Sequence, residues 1–390
     1  MKRVLIISPC SVRGNSTGVV GKFLRGFSEL DKDEYVVDLC DTSYFEKHEP
    51  SKYSVNEYYG IKKNWLDRII IRIPKLRSIV SVKKALTVIN NAINNHYYDL
   101  IVVHSVPFYT YKIIELAHNK GSKTILVPWG ANDIIDRPER DVKLQKAFDT
   151  TDFVRAIEGS NCAKTMQNRF KVPIEKCKFT KPFLRSIEEI KKAKKKYNRN
   201  ECAKLLGMPL SSCYIICGYN AYPVMQHKFI IESIAEVKNL LPKDYVLVFP
   251  MTYPSNENYI KLIKDECSRF ELNSVFFTHF LTNEQMACLH LLSNYFINIQ
   301  HADSGNAFQI EELYCGSQTI TGKWLNYSHF ETYGTPYYKM EKLENLPSLL
   351  KDIFTKKLSP IKVPDKLIKS YEIPEGFKRA GYWKELIDSL

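Results

Sequence analysis

The chain alternates short continuous apolar runs with segments of helical period, and it does so in two rounds. "RVLIIS" (3–8) is the kind of run that is buried on both faces of a sheet, and it leads into the Gly- and Ser-rich turn "PCSVRGNSTG". A helical pattern from about Val19 to Leu30 and a second apolar run, "YVVDLC", complete a β–loop–α–β unit, the building block of a doubly wound parallel sheet. "YDLIVVHS", a helix ending near "HNKG", and "KTILVPWG" repeat the unit, and "DFVRAIEGS" followed by "NCAKTMQNRF" extends it. The second round opens at "SCYIICGYN" and continues through the amphipathic "HKFIIESIAEVKNL". It adds strands at "DYVLVFPMTY", "SVFFTH", "YFINIQHADSG" and "GSQTITG".

Because 390 residues exceed what one hydrophobic core usually organises, the two rounds predict an α/β protein of two Rossmann-like, doubly wound domains. These are placed at 1–185 and 200–370, joined by the lysine-rich "KKAKKKYNRN". The last helix, within 371–390, carries Phe377, Tyr382, Trp383, Leu386 and Ile387 and is expected to pack back on the first domain. Two such domains facing each other line a cleft with the carboxyl ends of their strands, where open α/β sheets bind ligands. The first βα loop is not a G-x-G-x-x-G, so a dinucleotide site is not supported.

Ten cysteines without C-x-x-C pairs or regular spacing argue against a disulfide scaffold or a zinc ribbon and for reduced thiols. The opening "MKRVLIISPC" has too short an apolar run for a signal peptide, and no stretch approaches the ~18 apolar residues of a membrane span. A cytoplasmic protein is the expectation. The net charge of +13 is uneven. Residues 61–84 hold eight Lys/Arg against Asp67 alone, interleaved with Trp65, Ile69, Ile70, Ile73 and Leu76, a mixture that suits an anionic lipid surface. Residues 191–200 hold six cations and no acid, and read equally as a solvated face. Without a helix-turn-helix, zinc-finger or RNP signature, nucleic acid is not expected as a partner.

Chemistry concentrates in "HADSGNAFQIEELYCGSQTITG" (301–322). A Gly-containing turn between a strand and a helix offers backbone N–H groups and the positive end of a helix dipole to a phosphate. Asp303 and Glu311 stand in a D-x7-E spacing, with Glu311 up to two turns inside the helix. A carboxylate there accepts from sugar hydroxyls, as one accepts from ribose in dinucleotide sites. On spacing alone, the same residues also read as a helix cap followed by solvated acids.

This stretch resembles the E-x7-E motif of the GT-B glycosyltransferases related to family 4, with Asp303 in place of the first Glu and Cys315-Gly316 at the turn after the helix. The resemblance implies that Glu311 holds the nucleotide ribose and that the loop amides of Gly305, Asn306 and Ala307 face the diphosphate and donor sugar. Asp303, with its shorter reach, would take the first acid's place at the reacting sugar. Three further stretches are similar to the TDP-Fuc4NAc:lipid II transferase family of enterobacterial common antigen synthesis. They are "GYNAYPVMQHK" (218–228), which includes Asn220, "VPWGANDI" and "FPMTYPSNENYI".

His227 and Lys228 start a helix after a Gly turn, where cations would meet the donor diphosphate as charge grows on the leaving group; a surface basic pair is the alternative. Gly14, in the first βα loop, is placed on the acceptor or phosphate side of the cleft, or in an ordinary turn. His104 ends "LIVVHS" as a candidate general base or as a structural histidine, and Asp133 follows "PWG" as a carboxylate for the acceptor hydroxyl or as a helix cap. Tyr253 and His279 end strands that border the base, or are packing residues. No D-x-D or His/Cys cluster points to a metal, and no cofactor beyond the nucleoside-diphosphate sugar donor is expected.

The reading is a glycosyltransferase, peripheral on the inner face of the cell membrane, that moves a hexosyl or acetamidosugar unit from a nucleotide sugar to a hydroxyl of a polyprenyl-linked glycan. A sugar-nucleotide epimerase of the same fold is the enzymatic rival. A bilobed solute-binding protein is a non-enzymatic one, disfavoured by the missing export signal.

Overall fold

Both apolar rounds form parallel sheets. The structure, a computed structural model, describes residues 1–8, 30–44, 55–70, 72–128, 131–157, 160–180, 184–253, 256–303, 305–325, 327–372 and 379–390. The helical pattern expected after Val19 lies outside the described residues, as does Gly14.

The first sheet contains β1 (Lys2–Ser8), β2 (Tyr35–Asp41), β3 (Tyr58–Gly60), β4 (Leu100–His104), β5 (Lys123–Val127), β6 (Phe153–Ile157) and β7 (Cys177–Thr180). Their order is β3-β2-β1-β4-β5-β6-β7. Val4 pairs with Val37 on one side and with Leu100 on the other, both in parallel register. Among its helices are α1 (Trp65–Ile70), α2 (Pro74–Asn95), α3 (Thr110–His118), α4 (Ala131–Ile134), α5 (Val142–Thr150) and α6 (Asn161–Asn168). β1, β2, β4 and β5 are buried on both faces, which is why they read as apolar runs. Leu5, Ile7, Ile101 and Val103 face Ile89, Ile93 and Ile113 on one side. On the other, Val4, Ile6, Leu100 and Val102 face Trp383, Leu386 and Ile387 of the last helix, Arg379–Asp388. The period-2 alternation of a strand thus feeds two separate helix layers.

The second sheet contains β8 (Tyr214–Cys217), β9 (Val246–Pro250), β10 (Ser274–Phe277), β11 (Ser293–Asn298), β12 (Gln318–Gly322) and β13 (Tyr338–Met340), in the order β10-β9-β8-β11-β12-β13. Its helices include α7 (Arg185–Lys196), α8 (Arg199–Leu205), α9 (His227–Glu236), α10 (Glu257–Arg269), α11 (Asn283–Leu292), α12 (Ala307–Cys315), α13 (Leu346–Phe354) and α14 (Asp365–Tyr371); Arg379–Asp388 is α15. Tyr214, Ile216, Val246 and Phe296 pack against Ile187, Ile190, Cys202 and Leu289. Ile215, Leu247, Phe249 and Ile297 pack against Ile230, Ile234, Ile263 and Leu350 on the opposite face.

The chain divides into two compact units. One is Met1–Ile157 with Cys162–Thr180 and Pro374–Leu390; the other is Glu158–Asn161 with Lys181–Ile373. The lysine-rich segment expected as a linker is therefore part of the second unit. Ile187, Ile190 and Ala193 bury one side of α7, while its lysines Lys192, Lys194, Lys195 and Lys196 stay exposed. Asn198 and Glu201 then form a capping box that starts α8.

Candidate functional site

In each sheet the chain order reverses direction at one place: between β1 and β4 in the first, and between β8 and β11 in the second. Loops leaving the carboxyl ends of the strands diverge there, which opens a crevice and makes this the ligand position of open α/β sheets. The D-x7-E segment follows β11, and "GYNAY" follows β8. The second unit thus brings both to its switch point.

Backbone hydrogen bonds tie these loops together. Gly218 N donates to Ile297 O at 3.0 Å, His301 N to Val224 O at 3.2 Å, and Ala221 N to Tyr253 O at 2.7 Å. Asn306 is the N-cap of α12, its Oδ1 accepting from Gln309 N at 2.6 Å. Gly316, at φ +81°, ends the helix in the left-handed conformation that glycine adopts freely. The positive end of the α12 dipole therefore opens onto the Asp303–Asn306 loop.

Asp303 is buried and accepts from the Tyr327 hydroxyl and from Asn306 Nδ2. Tyr327 in turn accepts from Asn298 Nδ2 at 2.8 Å, and Asn298 Nδ2 also donates to Gln309 Oε1 at 3.1 Å. Glu311 is only 7% exposed, and its Oε2 lies 3.0 Å from His290 Nε2. The other ring nitrogen of His290, Nδ1, is 2.7 Å from Glu312 Oε1. Burial alone would depress the His290 pKa; the charges of Glu311 and Glu312 outweigh it and hold the ring up to about 10.

Asn220 is buried, and its Oδ1 accepts from Tyr222 N at 2.9 Å in an Asx-type turn. Tyr253, in the loop after β9, stacks on Phe280 with ring centroids 6.2 Å apart and planes 7° from parallel, and both rings are exposed. Burial of the hydroxyl raises the Tyr253 pKa, a hydrogen bond with Asn220 lowers it, and the charges of Glu311 and Asp303 raise it further. Asn220, Tyr253, Asp303 and Glu311 therefore share one electrostatic neighbourhood. His279 is exposed.

The basic pair His227–Lys228 does not supply the charge expected of it. His227 is fully buried beneath Gly218, where an added Cβ would lie 2.7 Å from its Nε2, and its Nδ1 is 3.1 Å from Tyr259 Oη. Burial lowers its pKa to about 3, so it is neutral. Lys228 is exposed, with its Nζ 3.8 Å from Glu232 and 3.7 Å from Glu266, two carboxylates that offset its charge. Sequence reasoning missed His329. Gly305, at φ +98°, packs so closely that an added Cβ would sit 2.6 Å from His329 Nε2.

In the first unit, the switch point carries a cavity of about 250 Å³ whose lining includes Thr42, His104, Ser105, Tyr109, Asp133 and Arg137. His104 and Asp133, far apart in sequence, thus meet in one cavity. Burial, and then the charge of Arg155, hold the His104 pKa well below its ordinary value, so the ring is a neutral base at pH 7. Ser105, next to it, adopts φ +60°, a strained conformation for a non-glycine residue and one that clusters at functional sites. Arg137 donates through Nη2 to Val106 O at 2.8 Å, which holds the cavity's cation in place. Among the described residues no group of three or more His, Cys, Asp or Glu side chains is arranged to hold a metal ion, and no helix is long and apolar enough to cross a membrane.

Neither a scan of protein families nor a search of curated proteins finds a match to this chain. Solved structures do match. A glycosyltransferase from Rickettsia africae aligns over 100% of this chain and 98% of its own, with a TM-score of 0.67 and 13% identity. Anabaena HepE in complex with UDP-glucose aligns over the whole of both chains, with a TM-score of 0.63 and 13% identity. A UDP-forming α,α-trehalose-phosphate synthase from Burkholderia vietnamiensis does so at 0.67 and 9%. The two parallel sheets with interleaved helices match the two Rossmann-like domains of GT-B glycosyltransferases.

Proposed function

We propose that the protein is a glycosyltransferase that moves a sugar from a nucleoside-diphosphate sugar to a hydroxyl of a glycan acceptor. The observation that carries this reading is the seat of the D-x7-E segment. It lies at the switch point of the second sheet, with the α12 N-terminus open to the loop and the Glu311 charge within electrostatic reach of Tyr253. That arrangement suits a nucleotide: the helix end and loop amides for the diphosphate, Glu311 for the ribose hydroxyls. The UDP and UDP-glucose complexes of HepE lend the same reading support by analogy of fold.

In the first unit, neutral His104 and Asp133 are the groups that position and deprotonate the acceptor hydroxyl. Stabilisation of the leaving diphosphate falls to the α12 dipole and loop amides in the second unit, with no divalent metal. The acceptor is a polyprenyl-linked glycan, and the sugar a hexosyl or acetamidosugar unit, transferred at the inner face of the cell membrane. The membrane part of the reading is supported by α1 and α2. Trp65 is 69% and Ile79 67% exposed, and Leu66, Ile69, Ile73 and Leu76 stand exposed with them among Lys62, Lys63, Arg72 and Arg77. Asp67, the one acid of the segment, is buried and bound by Tyr44 Oη at 2.7 Å and by Lys84, so it offsets the charge of Lys84.

The test is donor turnover with a panel of nucleotide sugars and membrane lipid extract. Transfer of label to lipid, surviving EDTA, is the expected result. Isomerised donor without transfer would make the protein an epimerase, and complete loss restored by magnesium would overturn the metal-free reading.

A further inference from the structure

His290 has no part in the reading above, yet it is almost wholly buried between the two adjacent carboxylates of the D-x7-E helix. We propose that His290 is a positioning residue for nucleotide recognition: as the counter-ion shared by Glu311 and Glu312, it fixes the Glu311 carboxylate in the orientation that meets the ribose. The inference rests on the assignment of Glu311 to the ribose.

Glu311 and Glu312 are consecutive on α12, 7% and 0% exposed. Two buried carboxylates side by side disfavour each other's charged forms, and without a cation one of them takes up a proton. A protonated Glu311 is a weaker acceptor for a sugar hydroxyl and is free to turn. His290, from α11, answers both problems with one ring. Its Nδ1 hydrogen-bonds Glu312 at 2.7 Å, and its Nε2 lies 3.0 Å from Glu311 as an ion pair without hydrogen-bond alignment, so one rigid planar cation faces both acids. Phe308, one turn before Glu311, closes an edge contact on the ring at a centroid distance of 4.5 Å and limits its rotation.

Among the described residues, the exposed Lys194 of α7 is a cation whose charge reaches this helix, at Cys315. From α12 the groups facing His290 are Glu311 and Glu312. Cys315, on the same helix, has its thiol pKa raised by burial and then by those two acids, and stays neutral. Cys202 on α8 and Cys288 on α11 are likewise raised by burial. Glu284, at the start of α11, is taken up by Lys196 of α7 and by Tyr197, which caps it. The three side chains form a buried Glu–His–Glu unit, with Glu311 its more exposed carboxylate.

The experiment is calorimetric titration of UDP, TDP, GDP, CDP and ADP into wild type, His290→Gln, Glu311→Gln and the double variant, between pH 5.5 and 8. Glu311→Gln and His290→Gln should each weaken the nucleoside diphosphate that wild type binds by about tenfold or more, with the double variant no weaker than the weaker single one. His290→Gln should also lose affinity as the pH falls, while wild type stays level. Additive losses, or a lowered melting temperature with unchanged affinity, would overturn the positioning role alone. Unchanged affinity in Glu311→Gln, or no binding by wild type, would remove the ribose assignment and this inference together. If His290→Gln does not fold, nitrogen-15 NMR of wild type decides: both ring nitrogens of His290 protonated at pH 8 supports the clamp, and a neutral ring overturns it.

Discussion

Tyr327 donates its hydroxyl to the Asp303 carboxylate, and the same oxygen accepts from Asn298 Nδ2 at 2.8 Å. One phenol therefore links the first acid of the D-x7-E segment to the end of β11. Tyr327→Phe should leave Asp303 and Asn298 each one partner short in a buried site. A loss of about 1–3 kcal/mol in the second unit's stability is expected, measured by urea unfolding, with weaker nucleotide binding because the Asp303–Asn306 loop loses an anchor.

Gly305→Ala tests the loop itself. Its φ of +98° lies where an L side chain is strained, and the new methyl would meet His329 Nε2 at 2.6 Å. Nucleotide affinity should fall by tenfold or more, while far-UV circular dichroism is retained. A second substitution, His329→Ala, should recover part of the loss by removing the clash but not the backbone strain.

Stability should decline with pH on the alkaline side. The His290 pKa is raised to about 10 in the folded protein, above its ordinary value near 6.5. The stabilisation is complete below about pH 6.5 and is lost progressively as pH climbs to about 10, because only the folded state still holds the proton in that window. Denaturation midpoints measured from pH 6.5 to 10 should fall for wild type, and His290→Gln should lack this part of the slope.

The parallel sheets were legible because strands buried on both faces leave unbroken apolar runs, such as "LIVVH" at Leu100–His104. Three strands were not legible: β3 (Tyr58–Gly60), β7 (Cys177–Thr180) and β13 (Tyr338–Met340). They are short edge strands with mixed composition, held by one neighbour each. The lysine run at 191–196 hid a helix. Its charges dominate the composition, while Ile187, Ile190 and Ala193 carry the buried stripe. At the site, the spacing of Asp303 and Glu311 and the cap at Asn306 could be read from sequence. Tyr327, His290 and His329 could not, because each reaches the segment through tertiary packing with no fixed spacing. The same blindness misplaced His227, whose burial under Gly218 no local pattern announces.

Lys62→Gln, Arg72→Gln and Lys83→Gln together should weaken sedimentation with phosphatidylglycerol vesicles, since each surface cation contributes about 1 kcal/mol at an anionic interface. High salt should mimic the triple variant, and Trp65→Ser with Ile69→Ser should reduce the binding that remains. Nucleotide affinity should not change in either. Equal sedimentation of all forms would remove the membrane role.

The central claim is that the second unit binds a nucleoside diphosphate through Glu311, and one titration tests it most directly. Wild type should bind at least one of UDP, TDP, GDP, CDP and ADP saturably in the calorimeter. Glu311→Gln should bind the same nucleotide about ten- to hundredfold more weakly with its melting temperature nearly unchanged, as expected for a lost charge-assisted hydrogen bond of about 1.5–3 kcal/mol. No binding of any of the five by wild type, or equal affinity in Glu311→Gln, would contradict it.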